Sequence, residues 1–223
     1  MQETELVSIP KSLDLSCREY SATLEDLLQA IYPNIPTQSI HPSFFAKRAI
    51  LTPQNEDVDL INSRLIDKFF GDVCINKSFD SLFCCVTLIH QAAYVMELDL
   101  FAKKFMPNVI QCEISIGFSK GECVMLPRIN LRPSESSGYP FQFQRLQFPI
   151  KLCFAMTINK SQGQTLLDIG VYIRQPCFSH GQLYVALSRA RKANNIKVLD
   201  ESSIEQKATS PCVANVVSHA LLK

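Results

Sequence analysis

The run Ala49-Ile-Leu-Thr52 is short and apolar, and Pro53 closes it. Behind it Val58, Ile61, Leu65 and Phe69 recur at helical spacing. Asn55 is placed to cap that helix, Glu56 and Asp57 complement the dipole of its first turn, and Gly71 offers a stop. A buried strand that feeds a helix through a tight turn is the unit of an α/β layer fold. The pattern returns late in the chain. Ile150, Leu152, Phe154 and Met156 alternate as a strand, and Ile169 to Ile173 and Ile196 to Leu199 read as two more. Ser179 with Gln182 reads as a capping box, and Leu183, Ala186, Leu187 and Ala190 form the inner stripe of the helix behind it.

The intervening sequence has a different character. Thr23 with Asp26 signals a helix start, Leu24, Leu27, Leu28 and Ile31 share one face, and Pro33 ends it. Residues 72–107 are apolar and cysteine-rich, with a helix expected from Leu88 to Lys104. Val109 to Ile116 alternates with period two, Gly117 to Gly121 supplies a turn, and Glu122 to Leu126 returns as the second strand of a hairpin. Pro127 to Pro149 reads as a polar connector, and residues 200–223 as a loose tail or short helix.

Composition removes several classes of function. The 223 residues are 47% hydrophobic, enough for a sizeable core. Twenty-two basic residues face 21 acidic ones, a net charge of +1, so any nucleic-acid contact has to be local. The nine cysteines include no Cys-x-x-Cys pair, and none stands at zinc spacing from the four histidines. With no apolar run between Met1 and Ile9, secretion is not expected, and free thiols in a reducing compartment are. The longest uncharged apolar run, Ser81 to Met96, is 16 residues. A membrane span needs ~20, so it reads as core or partner surface, and no membrane partner is expected.

Two segments carry chemistry. In Ala155-Met-Thr-Ile-Asn-Lys-Ser-Gln-Gly-Gln-Thr165, polar groups crowd the end of a strand, where α/β sheets bind ligands. Gly163 lets backbone approach closely, and the loop suits phosphate oxygens of a nucleotide or a nucleic-acid backbone. A polar turn with no ligand reads equally well from the same residues. In Phe178-Ser-His-Gly-Gln-Leu-Tyr-Val-Ala-Leu-Ser-Arg-Ala190, Ser188 and Arg189, with Arg191 beyond, stand at a helix C-terminus. The dipole alone favours cations there. The sharper reading is an arginine finger, a planar guanidinium that stabilises charge on a transferred phosphoryl group.

Together the segments resemble motifs V and VI of superfamily 1 DNA helicases, in the form found in the Pif-type branch, including the helicases of Helitron transposons. Arg48-Ala-Ile-Leu-Thr-Pro-Gln-Asn-Glu-Asp-Val-Asp-Leu-Ile-Asn62 is similar to that branch's motif IV region, and Val109 to Arg132 and Phe148 match its pattern between the motifs. The resemblance covers roughly residues 1–80 and 107–200. It implies an α/β fold: part of a RecA-like second motor domain, a parallel sheet with flanking helices, interrupted by a small, incomplete SH3-like β module. Residues 1–71 and 150–200 would form the motor domain, 72–107 a divergent insert, 108–149 the remnant of the accessory module with its connector, and 201–223 a tail.

The resemblance also implies roles. Thr157 and Asn159, with Lys160 and Ser161, would face the DNA backbone, Gln162 and Gly163 would lie near the ATP γ-phosphate, and Arg189 would be the finger. Asn159 stands where many helicases of the wider superfamily carry histidine. The complete family enzyme uses ATP and Mg2+ to drive 5′-3′ unwinding in repair, recombination, telomere maintenance or rolling-circle transposition, in the nucleus. None of the seven glycines is followed by lysine, so no Gly-x-x-x-x-Gly-Lys-Ser/Thr loop is present. Asp200-Glu201 follows a strand but comes after motif VI, out of order for a magnesium-binding acid pair. The expectation is a chain that binds neither ATP nor Mg2+ tightly and is inactive alone, with weak affinity for single-stranded DNA and a need for an N-terminal RecA-like domain as partner. A non-enzymatic single-strand or partner-binding module, and a non-functional transposon remnant, are the alternatives.

Overall fold

A computed structural model describes residues 2–8, 10, 13, 22–33, 35, 42–45, 47–68, 74–77, 79–80, 86–89, 100–115, 118–131, 144–202 and 212–218. In chain order the elements are β1 (Gln2–Ser8), α1 (Leu24–Ile31), α2 (Pro42–Phe45), β2 (Arg48–Thr52) and α3 (Asn55–Ile66). Next come β3 (Cys74–Lys77), β4 (Phe79–Asp80), β5 (Val86–Ile89), β6 (Leu100–Phe105), β7 (Val109–Ile114), β8 (Cys123–Pro127), β9 (Ile129–Leu131) and β10 (Arg145–Gln147). The chain closes with β11 (Ala155–Thr157), β12 (Asp168–Ile173), α4 (Gln182–Leu187), β13 (Ile196–Asp200) and β14 (Cys212–Ser218). They fall into two compact units, Met1–Lys68 with Phe154–Lys223, and Phe69–Cys153.

The first unit is built on a four-stranded parallel sheet in the order β11-β2-β12-β13. Its two middle strands are apolar on both faces, as a sheet covered on both sides requires. Ala49, Leu51, Ile169 and Val171 point to one face, where they share a core with Leu183 and Ala186 of α4. Ile50 and Gly170 point to the other, against Leu27 and Ile31 of α1. Gly170 makes that contact close: a Cβ there would stand 3.1 Å from Ile31 and Ile50 and 3.2 Å from Leu27, tighter than ordinary packing.

Two polar links pin the sheet. Tyr32, just past α1, is buried and donates its hydroxyl to the carbonyls of Phe154 at 2.8 Å and Arg48 at 3.1 Å. Arg48 pairs with Asp168, its neighbour on β12, at 2.9 Å. The start of α1 is as expected, with the Asp26 carboxylate accepting from the Thr23 amide at 2.7 Å and its hydroxyl at 2.9 Å. Those bonds hold the Asp26 carboxyl below its ordinary value.

β1 and β14 pair antiparallel from Gln2↔Ser218 to Ser8↔Cys212. Val7 and Val213 of this ribbon pack into the α4-side core. The expected loose tail or helix over 200–223 is therefore corrected for 212–218. Three local readings are corrected as well. Gln54, not Asn55, occupies the position before α3, and α3 ends at Ile66 with Asp67 behind it, short of Gly71, which lies outside the described residues. The strand expected from Ile150 is confined to Ala155–Thr157. The capping box at Ser179 does not form, because the helix starts at Gln182, after Gly181 in the left-handed region (φ 72°). Gln182 reaches back instead to the amide of Phe178, at 3.1 Å.

Among the described residues the strand pairs of the second unit are all antiparallel, in sheets β6-β7-β8, β4-β10-β9 and β3-β5. The expected β7–β8 hairpin is present. Leu100, Ala102, Ile110, Cys112 and Phe148 form its core, and the Arg128 guanidinium lies 4.3 Å above the Phe148 ring. The helix expected over Leu88–Lys104 is overturned. β5 reaches Ile89 and β6 starts at Leu100, and residues 90–99 lie outside those described. The connector after Pro127 also contains strands β9 and β10. Of the apolar run Ser81 to Met96, only β5 is described.

Candidate functional site

β11 delivers the polar loop to the carboxyl end of the parallel sheet, where Thr157 stands beside Thr52 of β2. Both threonines are buried. The chain then tightens into a 3-10 turn, Ile158–Ser161. Fully buried Ile158 anchors it, and the equally buried Ser161 donates its hydroxyl to the Ile158 carbonyl at 2.7 Å. With these two inside, Asn159, Lys160, Gln162 and Gly163 are left exposed. Gly163 has φ +79°, with nothing within 4 Å of where a Cβ would stand. Here the restriction on other residues comes from the backbone conformation, not from crowding.

Arg189 joins the two predicted segments. Its Nε donates to the Val185 carbonyl at 3.0 Å, one turn back along the chain. Its Nη1 reaches the carbonyls of Ser161 at 3.4 Å and Gln164 at 3.3 Å, and its Nη2 bonds the Ser188 hydroxyl at 2.8 Å. The backbone repeats the link: the Leu166 amide donates to the Arg189 carbonyl at 3.1 Å, and Leu166 and Ala190 form a parallel bridge. α4 ends at Leu187, so Arg189 stands beyond the helix, not in its last turn. The structure thus brings Arg189 to Ser161 directly, with Gln162 and Gly163 between its two loop acceptors. Asn159, Lys160 and Thr157 lie on the same turn.

The acid pair at the end of β13 is engaged locally. Asp200 accepts from the Ser202 amide at 2.9 Å and hydroxyl at 2.6 Å, and Glu201 accepts from the Tyr172 hydroxyl at 2.8 Å. Burial, then the Glu201 bond, push the Tyr172 phenol well above its ordinary value. Among the described residues no group of three or more His, Cys, Asp or Glu could hold a metal ion. For a nucleotide these residues offer only one side of a phosphate site: an arginine, a glutamine and glycine backbone.

One residue lies within the motif IV resemblance but was given no role there. Asn62 of α3 is 4% exposed and bonds the backbone of Ala155, the first residue of β11. The available signal was a polar side chain among Val58, Ile61 and Leu65, all buried on the same helix.

No family model matches the chain. Among curated proteins it is 45% identical over 74 residues to the ATP-dependent DNA helicase Pif1 of Campylobacter jejuni, covering 31% of this chain and 16% of that protein. It is 48% identical over 56 residues to human ATP-dependent DNA helicase PIF1, covering 25% and 9%. The chain thus matches only a small part of these relatives' length. Among solved structures, Bacteroides Pif1 bound to ssDNA superposes with a TM-score of 0.57 at 20% identity, over 93% of this chain and 50% of that one. The chain is therefore a relative, in sequence and in fold, of the C-terminal portion of the Pif-type superfamily 1 DNA helicases.

Proposed function

We propose that this chain is the second half of an ATP-dependent DNA motor, with the Ile158–Gln164 turn on the DNA backbone and Arg189 as its arginine finger. The observation that carries this reading is the junction itself. The Arg189 guanidinium, which the motif resemblance assigns to a phosphoryl group, is hydrogen-bonded to the loop that would follow the DNA strand. A change at either place is felt at the other without an intermediary.

Asn159 and Lys160 present amide and ammonium donors to phosphate oxygens. Ser161 serves by building the turn, since its hydroxyl is buried and committed, and Thr157 by ending the strand beneath it. Gln162 and Gly163 face the γ-phosphate side. Bound ATP supplies the phosphoryl group whose transfer drives the motor. The phosphate-cradling amides come from a partner domain on this reading, because the sequence holds no Gly-x-x-x-x-Gly-Lys-Ser/Thr segment. To act as a finger, Arg189 gives up the neutral carbonyls of Ser161 and Gln164 for charged oxygens. A phosphate oxygen adds Coulombic attraction and a bidentate fit to the planar fork that a neutral carbonyl does not offer, which favours the exchange.

On this reading the chain alone has no ATPase, binds single-stranded DNA weakly, and works with a RecA-like domain that holds the nucleotide. Its family setting points to the nucleus and to repair, recombination, telomere maintenance or rolling-circle transposition. The test is ATP hydrolysis with oligothymidylate, by the chain alone and with a Pif-type first motor domain added. Turnover is expected only in the mixture, and Arg189→Ala should abolish it. Robust turnover by the chain alone would overturn the reading, as would a mixture indifferent to Arg189.

A further inference from the structure

We infer that Asn62 is a positioning residue, whose carboxamide replaces a missing strand neighbour at the open edge of β11 and so fixes the strand that carries the loop. For its effect on DNA contact this rests on the function proposed above; for its effect on the loop it does not. β11 has three residues and, among the described residues, lies at the outer edge of its sheet. The Ile50 amide bonds the Phe154 carbonyl, so Phe154 and Met156 turn their backbone groups toward β2, and Ala155 turns its own away. Ala155 is 1% exposed. An unpaired N–H and C=O at such a site is costly, and water cannot take their place.

Asn62 answers both groups. Its Oδ1 accepts the Ala155 N–H at 3.0 Å, and its Nδ2 donates to the Ala155 C=O at 3.5 Å. A primary amide carries the same donor and acceptor as a peptide unit, so one side chain reproduces one rung of a ladder. Aspartate has the same shape but, when ionised, sets a second acceptor against the Ala155 carbonyl. Leucine matches the volume and offers neither group. Because β11 is so short, loss of this rung frees the start of a strand whose other end is Thr157 and the turn.

The test is site-resolved amide hydrogen exchange on the whole chain, comparing wild type with Asn62→Asp and Asn62→Leu. Both variants should lose protection tenfold or more at Ala155 and across 157–163, while β12 and β13 stay within twofold. On acidification the aspartate protonates and regains a donor for the Ala155 carbonyl, so Asn62→Asp should recover protection and Asn62→Leu should not. Unchanged protection at Ala155 overturns the inference. So does equal loss throughout β12 and β13, failure of acid to separate the two variants, or failure of both to fold at any pH. In oligothymidylate binding the affinity of Asn62→Asp should fall and recover with the same pH dependence. A wild-type chain that binds no oligothymidylate overturns the nucleic-acid reading alone, and the exchange result still decides this one.

Discussion

The guanidinium of Arg189 donates to the carbonyl oxygen of Gln164 at 3.3 Å. A side chain expected to reach outward to a nucleotide is turned inward onto the loop of its own domain. It shares itself among four acceptors, the carbonyls of Val185, Ser161 and Gln164 and the hydroxyl of Ser188. Through these bonds it ties the turn to the end of α4.

Replacing Arg189 with alanine should therefore loosen the chain even where no ATP is present. A bond from a charged donor contributes about 1.5–3 kcal/mol when buried, but Arg189 is only half-buried and water replaces part of its bonding, so the expected loss is about 1–2 kcal/mol in urea unfolding. Hydrogen exchange should quicken across 158–164. Arg189→Lys should recover little, because one ammonium cannot reach acceptors that the planar fork spans. An alanine variant as stable as wild type would mean that the inward bonds contribute nothing and that only the finger role is left.

Gly170 yields a prediction of opposite origin, from too much material instead of too little. Alanine in a strand gains about 0.4–1 kcal/mol from the unfolded chain. Its Cβ, however, would meet Ile31, Ile50 and Leu27 at 3.1–3.2 Å. All three are buried in α1 and β2, and overpacking costs about 1–3 kcal/mol. Packing wins, and Gly170→Ala should destabilise by about 1–2 kcal/mol. In an Ile31→Ala background the cost should shrink, because one of the three neighbours is gone. Additive effects of the two changes would show that α1 moves aside freely.

What the sequence displayed and what it hid divide along a physical line. Ala49–Thr52 and Ile169–Ile173 were legible because continuous apolar runs are how doubly covered strands are written. The Thr23–Asp26 start was legible because a capping box is local. The β1–β14 ribbon was not, since it pairs residues from opposite ends of the chain and neither strand has the apolar alternation of a half-buried one. The helix expected at Leu88–Lys104 failed for want of turn chemistry to break an apolar stretch. At the site, motif spacing identified the two segments, but it did not show that Arg189 grips the loop or that Asn62 clamps the strand. Both are side-chain to backbone bonds across long sequence separations, which leave no periodic trace.

Cys177 gives the chain a defined weakness at high pH. It is buried in the α4-side core. Burial, with the Asp200 carboxylate adding to it, pushes its thiol from the ordinary 9.0 up to about 11. Between those values the unfolded chain loses a proton that the folded chain keeps, so stability is intact below pH 9 and falls as pH rises through 11. Each unit is worth about 1.4 kcal/mol, so the loss should be on the order of 2 kcal/mol. The raised Tyr172 phenol adds its own loss of stability at alkaline pH, so the comparison that isolates Cys177 is the wild-type pH profile of urea unfolding minus that of Cys177→Ala. The difference should be flat to about pH 9 and then drop. Iodoacetamide should also modify exposed Cys123 well before Cys177. A difference profile that stays flat to pH 11, or equal alkylation of the two thiols, would show that Cys177 is not held in the core.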